Sequence, residues 1–421
     1  MPSADAASWA RPSPTEPDLD FLQSELLRLL VFAQGSHHPD GGFGALDDDG
    51  RLIEGQPVQT WSSTRMTYSF ALSQLLGHDG AAARVDHGLT ALLPGGVLRD
   101  DVHGGWFTST DDHMKAAYPH SFVVLAAAAG VVADRPGAAQ LLDDVLAVVE
   151  QRFWDDDAGL VRESFSADWS VEEPYRGANA NMHSVEAFLA AADALSLTDV
   201  ARAAVWRQRA SRIVTRIVDD VARSADWMLP EHFLPDGTVL RDYNTDDRAH
   251  AFRPYGVTPG HLFEWARLCL HLRAARAAAG EDVPDWLLTD AASLFDTASE
   301  IGWARDGQDG FVYTTDFDGI PVTRARMHWV VTEAVAAAAA LYQVTGDPRY
   351  AEDHRRWWAF ARGHLLDLER GSWHAELNTE LRPTSGTWAG KPDVYHAIQA
   401  TLMPRLPLTP MFALALRTVA H

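Results

Sequence analysis

Three histidines stand at the starts of alanine-rich, otherwise apolar stretches: His183 in "NANMHSVEAFLAAADAL", His261 in "TPGHLFEWARLCL" and His396 in "GKPDVYHAIQATL". An imidazole with an unperturbed pKa of about 6.5 takes and gives protons near neutrality, so rings gathered in one pocket suit general acid–base chemistry. A single histidine in such a place is more often a hydrogen-bonded structural residue. Its recurrence at three apolar helix starts argues for a shared site, and the dipole at a helix N-terminus disfavours the imidazolium, keeping a base free.

The companions of these rings have helical spacing. Glu264 lies three residues after His261, and Asp393 three before His396, so each carboxylate is expected on its histidine's face, where it would set tautomer or basicity. Trp329 and Glu333 are four apart in "HWVVTEA", as are Trp61 and Arg65 in "TWSSTRM". A buried charge needs a partner or a task, and the plain structural reading pairs Arg65 with Glu333. Asn179 or Asn181 reads as the N-cap of the helix bearing His183, which places His183 in its first turn. Thr258 and Pro259 read as the cap and first residue of the helix bearing His261.

Other chemistries are poorly served. No phosphate-binding loop, dinucleotide glycine fingerprint or G-x-S-x-G elbow is present, and the H-E-x-x-H zinc motif is absent. Cys269 is the only cysteine, so neither an internal disulfide nor a thiolate cluster can form, and it reads as a buried small apolar residue. No metal and no cofactor is therefore expected. Sugar isomerisation fits what remains: one group opens the ring, another carries a proton between C2 and C1 through a cis-enediol, and donors hold the developing oxyanion. The 15 tryptophans raise the case for a carbohydrate, since indole faces stack on sugar C–H faces.

The elements that would position these residues come from a weak repeat. "GGFGALDDDG", "GGWFTSTDD", "AGLVRESFSAD", "DGTVLRDYNTDD", "DGFVYTTDFDG" and "GSWHAELNTE" each read as a small hairpin led by a glycine: Gly42, Gly105, Gly159, Gly237, Gly310 and Gly371. Pairs of stretches with helical apolar spacing fill the intervals. No pair buries its apolar face alone, so six pairs predict an all-α, closed (α/α)6 barrel of twelve helices with short β-hairpin-like loops. Helices such as "VVTEAVAAAAALY" are small and apolar nearly all round, which favours closure over an open solenoid. Residues 1–18 read as a flexible arm and 19–421 as one catalytic domain.

A net charge of −23, with Lys115 and Lys391 the only lysines, tells against nucleic acid. Neither a basic-then-apolar leader nor a long uncharged apolar run is present, so no membrane and a cytoplasmic location are expected.

"RGANANMHSVEAFLAAAD", "TPGHLFEWARLCL", "HWVVTEAVAAAAALY" and "GKPDVYHAIQATLMPRLP" together resemble the N-acylglucosamine 2-epimerase superfamily over residues from about 20 to 418, and most closely its branch of bacterial mannose and sulfoquinovose isomerases. The resemblance implies an (α/α)6 barrel, no cofactor and a monosaccharide substrate, in a monomer or homodimer. It also implies that His261 and His396 are the acid/base pair, with His183 a third catalytic-site histidine that contacts substrate. Arg65, Tyr118, Asn179, Glu264, Trp329 and Glu333 match its substrate-binding pocket. The reaction implied first interconverts D-mannose and D-fructose, with D-lyxose and D-xylulose as further substrates. The alternatives are a sulfoquinovose isomerase, whose sulfonate would need Arg253 or Arg248 as an anchor, and a mannose/glucose 2-epimerase. A glycoside hydrolase would need paired carboxylates instead of converging histidines.

Overall fold

The computed structural model describes residues 19–419, so the arm expected over 1–18 lies outside the described residues. Six helices form the inner ring: α2 (Thr60–Leu75), α4 (Ala117–Val132), α6 (Ala178–Ser196), α8 (Pro259–Ala278), α10 (His328–Thr345) and α12 (Tyr395–Leu402). Each packs on the next, and α12 returns to α2 to close the circle. Outside them lie α1 (Leu19–Ala33), α3 (Ala81–Thr90), α5 (Ala138–Val148), α7 (Val200–Val214), α9 (Trp286–Gly302) and α11 (Pro348–Phe360). The chain is therefore an all-α (α/α)6 barrel.

Burial explains the two rings. Inner α10 is buried without interruption from Val330 to Leu341, because it touches neighbours on both sides and an outer helix behind, so nearly every face must be apolar and small. Outer α11 instead exposes Arg355 and Arg356 and buries Tyr350, His354, Trp357 and Trp358 on one stripe.

The expected hairpins are present at all six places, pairing His37 with Phe43, Arg99 with Trp106, Trp154 with Val161, Phe233 with Val239, Trp303 with Phe311, and Leu366 with Trp373. Each lead glycine has a positive φ, from 68° at Gly159 to 97° at Gly371, a region that side chains avoid. At Gly310 a Cβ would also lie 2.5 Å from Phe360 Cζ. A glycine recurs at this point because the turn admits little else.

Two features were not anticipated from sequence. α5, α7 and α11 each end in a π-helical stretch, at Val149–Phe153, Thr215–Ala222 and Ala361–Leu365. A thirteenth helix, α13 (Phe412–Val419), packs on α2, α4 and α6 at the end of the barrel away from the inner-helix N-termini. The segment leading to it is held by His271 Nδ1 against the Leu408 carbonyl at 2.6 Å, and by the Met411 N–H donating to Asp193 Oδ2 at 2.5 Å. Cys269 is free and buried. Among the described residues no helix is long and apolar enough to cross a membrane.

His354, 1% exposed on α11, accepts a hydrogen bond at Nε2 from Trp358 Nε1–H at 3.2 Å, a role that needs a neutral ring. Burial lowers its pKa from 6.5 to about 3. The unfolded chain therefore binds the extra proton first, so the contribution of His354 is complete above pH about 6.5 and is lost as pH falls towards 3. Unfolding measurements should find wild type losing about 2 kcal/mol relative to His354→Gln on going from pH 8 to pH 5. A pH-independent difference would contradict a neutral, buried ring.

Candidate active site

The six inner helices begin at the same end of the barrel, and their first residues line one cavity. Trp61, Tyr118, Asn179, Trp329 and His396 are each the second residue of an inner helix, and His261 is the third of α8. Arg65, His183 and Glu264 follow one turn deeper. Eight of the nine expected site residues thus line one cavity. Glu333 does not; it sits behind the wall and reaches the cavity through His396.

The ring nitrogens share one pattern. His261 donates from Nδ1 to Glu231 Oε1 at 2.8 Å, and His396 donates from Nδ1 to Glu333 Oε1 at 2.8 Å. Carboxylates at Nδ1 fix the proton there and leave Nε2 with its lone pair for the cavity. The Trp329 indole is close to both imidazoles, its ring centre 5.1 Å from that of His261 and 6.0 Å from that of His396. Both bases are therefore within reach of one monosaccharide stacked against that indole.

These partners correct the spacing-based pairings. Glu264 does not orient His261, nor Asp393 His396, although each pair has helical spacing. Asp393 instead pairs with Arg65 at 3.3 Å, so the expected Arg65–Glu333 ion pair is also absent. Glu333 takes Arg267 Nε at 2.9 Å. Sequence reasoning missed Glu231 because it comes from the segment before the fourth hairpin, thirty residues from His261. The Glu231 carbonyl accepts the Ala178 N–H at 2.9 Å, and the adjoining His232–Phe233 strand pairs with Arg176–Gly177, so the start of α6 clamps it in place. Arg267 is fully buried and was also missed, although its place three residues after Glu264 in an apolar helix was a signal. His328, Tyr313, Phe252 and Trp388 line the cavity too, and of these His328 repeats the pattern of a histidine at an inner-helix start.

The caps differ as well. Gly177 is the N-cap of α6, so neither Asn179 nor Asn181 caps it, and His183 is the sixth helical residue. Asn181 accepts the Val161 N–H at 2.8 Å and ties the third hairpin to α6. Asn179 lines the cavity, and its Oδ1 is buried without a protein partner. Thr258 and Pro259 do begin α8, though Thr258 makes no side-chain cap.

Electrostatics divide the site into a base-bearing half and a cationic corner. Burial, aided by Arg65 and opposed by Asp393, lowers the pKa of His396 well below 6.5, so it remains a free base through neutrality. Burial and Arg65 bring His183 down to about 4. Burial pushes the Tyr118 phenol up to about 12 against the pull of Arg65, which keeps it a donor. Burial opposes ionisation of Asp393, but Arg65 and His396 hold its pKa below the usual range. Arg65 also lies over the Phe122 ring at 4.3 Å and donates to the Tyr118 hydroxyl at 3.0 Å. Underneath, Glu186, Glu264 and Glu333 share Arg267. There burial, then Glu333 and Glu186, raise Glu264 well above an ordinary carboxyl.

Because Glu231 alone steadies His261 at Nδ1, Glu231→Gln should lower kcat by about 10²-fold, with KM changed far less. Steady-state kinetics check this, and an unaltered kcat would remove Glu231 from the machinery.

Comparison with known proteins gives three results. The sequence profile of the N-acylglucosamine 2-epimerase (GlcNAc 2-epimerase) family matches residues 41–400. The chain is 53% identical over 406 residues to the D-mannose isomerase of Thermobifida fusca, covering 95% of this chain and 97% of that one. It is 50% identical over 414 residues to the D-mannose isomerase of Pseudomonas cannabina pv. alisalensis, covering 97% of each. A crystal structure of a D-mannose isomerase superposes with a TM-score of 0.83 at 27% identity, over 94% of this chain and 99% of that one.

Proposed function

This chain belongs to the N-acylglucosamine 2-epimerase family, and on that premise we propose that it is a cofactor-independent aldose–ketose isomerase interconverting D-mannose and D-fructose, with D-lyxose and D-xylulose as further substrates. Relatives at 53% and 50% identity over nearly the whole chain are D-mannose isomerases, which supports the substrate. What carries the reaction type is the pair of carboxylate-backed imidazoles, His261 and His396, both beside Trp329 in one cavity.

The chemistry follows from that placement. His261 Nε2 serves ring opening by moving a proton between the anomeric hydroxyl and the ring oxygen. His396 Nε2 takes the proton from C2 of the open aldose and returns it to C1 of the cis-enediol, while the C2 hydroxyl passes its proton to the C1 oxygen, which carries the negative charge in between. The Arg65 guanidinium and the Tyr118 hydroxyl are the donors available to that oxygen. Each ring has the same carboxylate-backed form, so the two roles can be swapped in this reading, and the face of the sugar that each ring addresses decides between the assignments. His183 and Asn179 bind hydroxyls.

A sulfonated sugar finds no anchor in this geometry. Arg253 donates to both oxygens of Glu173, at 2.7 and 3.0 Å, and also approaches Glu163. Arg248 bonds the Thr245 carbonyl and packs on Tyr255. Arg65 is the only arginine or lysine among the residues lining the cavity, and in this reading it serves the C1 oxygen.

The test is to incubate chelator-treated protein in deuterated water with D-mannose, D-lyxose, D-glucose and sulfoquinovose. Ketose formed from D-mannose without added metal is expected, with partial deuterium entry at C1. D-glucose formed in place of D-fructose would make it a 2-epimerase, and turnover of sulfoquinovose alone would displace the proposal.

A further inference from the structure

His183 Nδ1 is buried, in a residue only 4% exposed, and has no hydrogen-bond partner. It faces two carboxylates, with Glu264 Oε1 at 3.6 Å and Glu186 Oε2 at 3.7 Å, and the three donor atoms lie within 4.8 Å of one another. Those separations are too long for direct hydrogen bonds, whose usual limit is about 3.2 Å. They are also too short for a bridging water, because two legs of about 2.8 Å would have to close to an angle near 80°. Two legs of about 2.1 Å, the length of zinc bonds to imidazole and carboxylate, span the same gaps at about 120°, close to the angles zinc accepts.

Charge points the same way. Arg267 is the one cation within the group and serves three carboxylates. Its Nε is 2.9 Å from Glu333, but its other nitrogens are 3.4 Å from Glu264 and 3.9 Å from Glu186. Glu186 Oε2 also accepts the Tyr395 hydroxyl and its Oε1 the Gln399 amide at 3.1 Å, but neither donor carries charge, so the two acids with a nearby imidazole form an N/O donor set that a divalent ion would neutralise.

We infer that His183, Glu186 and Glu264 form a binding site for a divalent transition-metal ion of the zinc class, and that occupation of this site inhibits the enzyme. The ion binds through the Nδ1 lone pair of a neutral ring and through ionised carboxylates, and any proton held among the three groups leaves to solvent. Glu264 belongs to the cavity wall, so an ion that draws its carboxylate inward and fixes His183 alters the surface against which the sugar must fit. The site itself is independent of the isomerase reading; only inhibition rests on it.

The experiment titrates the chelator-treated full chain with Co2+, followed by its visible absorption, and with Zn2+, followed by calorimetry. One ion per chain is expected, with absorption bands of four-coordinate Co2+. His183→Ala should weaken binding about tenfold or more, and Glu186→Gln gives a second readout in case the first variant does not fold. The surface pair His37 and His87, stacked at 3.7 Å, is the competing location, and His37→Ala should leave binding unchanged. No saturable binding, or binding that persists in both cavity-side variants, overturns the site. With stoichiometric zinc, turnover should fall and return on adding chelator. Metal bound as expected by a protein with no turnover when zinc-free supports the site and counts against the isomerase proposal alone.

Discussion

His396→Asn should cost about 10³-fold in kcat for D-mannose while leaving the fold intact. Asparagine keeps a polar group near Glu333, so the buried carboxylate retains a donor, but it has no basic nitrogen with which to take a proton from carbon. Positioned general acid–base groups usually contribute about 10²–10⁴-fold, and removal of a proton from a C–H bond depends on one more than most steps do. Two measurements check this: turnover, and deuterium exchange into the recovered sugar, which should disappear together. Because burial holds the His396 pKa well below 6.5, the wild-type rate should not fall through protonation of this ring on mild acidification from neutrality. A variant retaining most of its exchange would show that another group moves the proton, and would leave His396 as part of a non-catalytic sugar-binding surface.

Arg267→Met should have the largest effect on stability. The guanidinium is fully buried, touches no part of the cavity surface, and is the one cation shared by Glu186, Glu264 and Glu333. Removing one partner from a buried ion pair usually costs about 3–5 kcal/mol, because the remaining charge is stranded away from water. Here the loss is moderated by protonation, since Glu264 is already pushed well above the ordinary carboxyl range by burial and by its acidic neighbours. Denaturant or thermal unfolding should show the full loss near pH 8 and a smaller one near pH 5, where protons can replace the missing cation. The double variant Arg267→Met, Glu333→Gln should recover part of it. An Arg267→Met protein as stable as wild type at pH 8 would mean that the cluster is not held by this cation. The same substitution frees Glu333, so His396 loses a fixed partner and kcat should drop as well.

Several parts of this molecule were legible in the residues themselves. Periodicity and the six glycine-led turns were sufficient for the ring, because a positive-φ turn admits little but glycine and an inner helix must be apolar on nearly every face. Ring closure then brings the N-termini of the inner helices to one mouth, so His183, His261 and His396 converge whatever their separation along the chain. Spacing could not tell which carboxylate serves which imidazole. Glu264 lies on the helix of His261, and Asp393 just before the helix of His396, where it accepts the Tyr395 N–H at 3.0 Å, yet Nδ1 of each ring points towards a neighbouring element. Glu231 and Glu333 come from elsewhere, and only the packing of six helices at fixed distances decides that they arrive at 2.8 Å. Hydrophobic periodicity records which face of a helix is buried, so it specifies the barrel. Hydrogen-bond partners depend on distances of a few tenths of an ångström between segments remote in sequence, and that information exists only once the chain has folded.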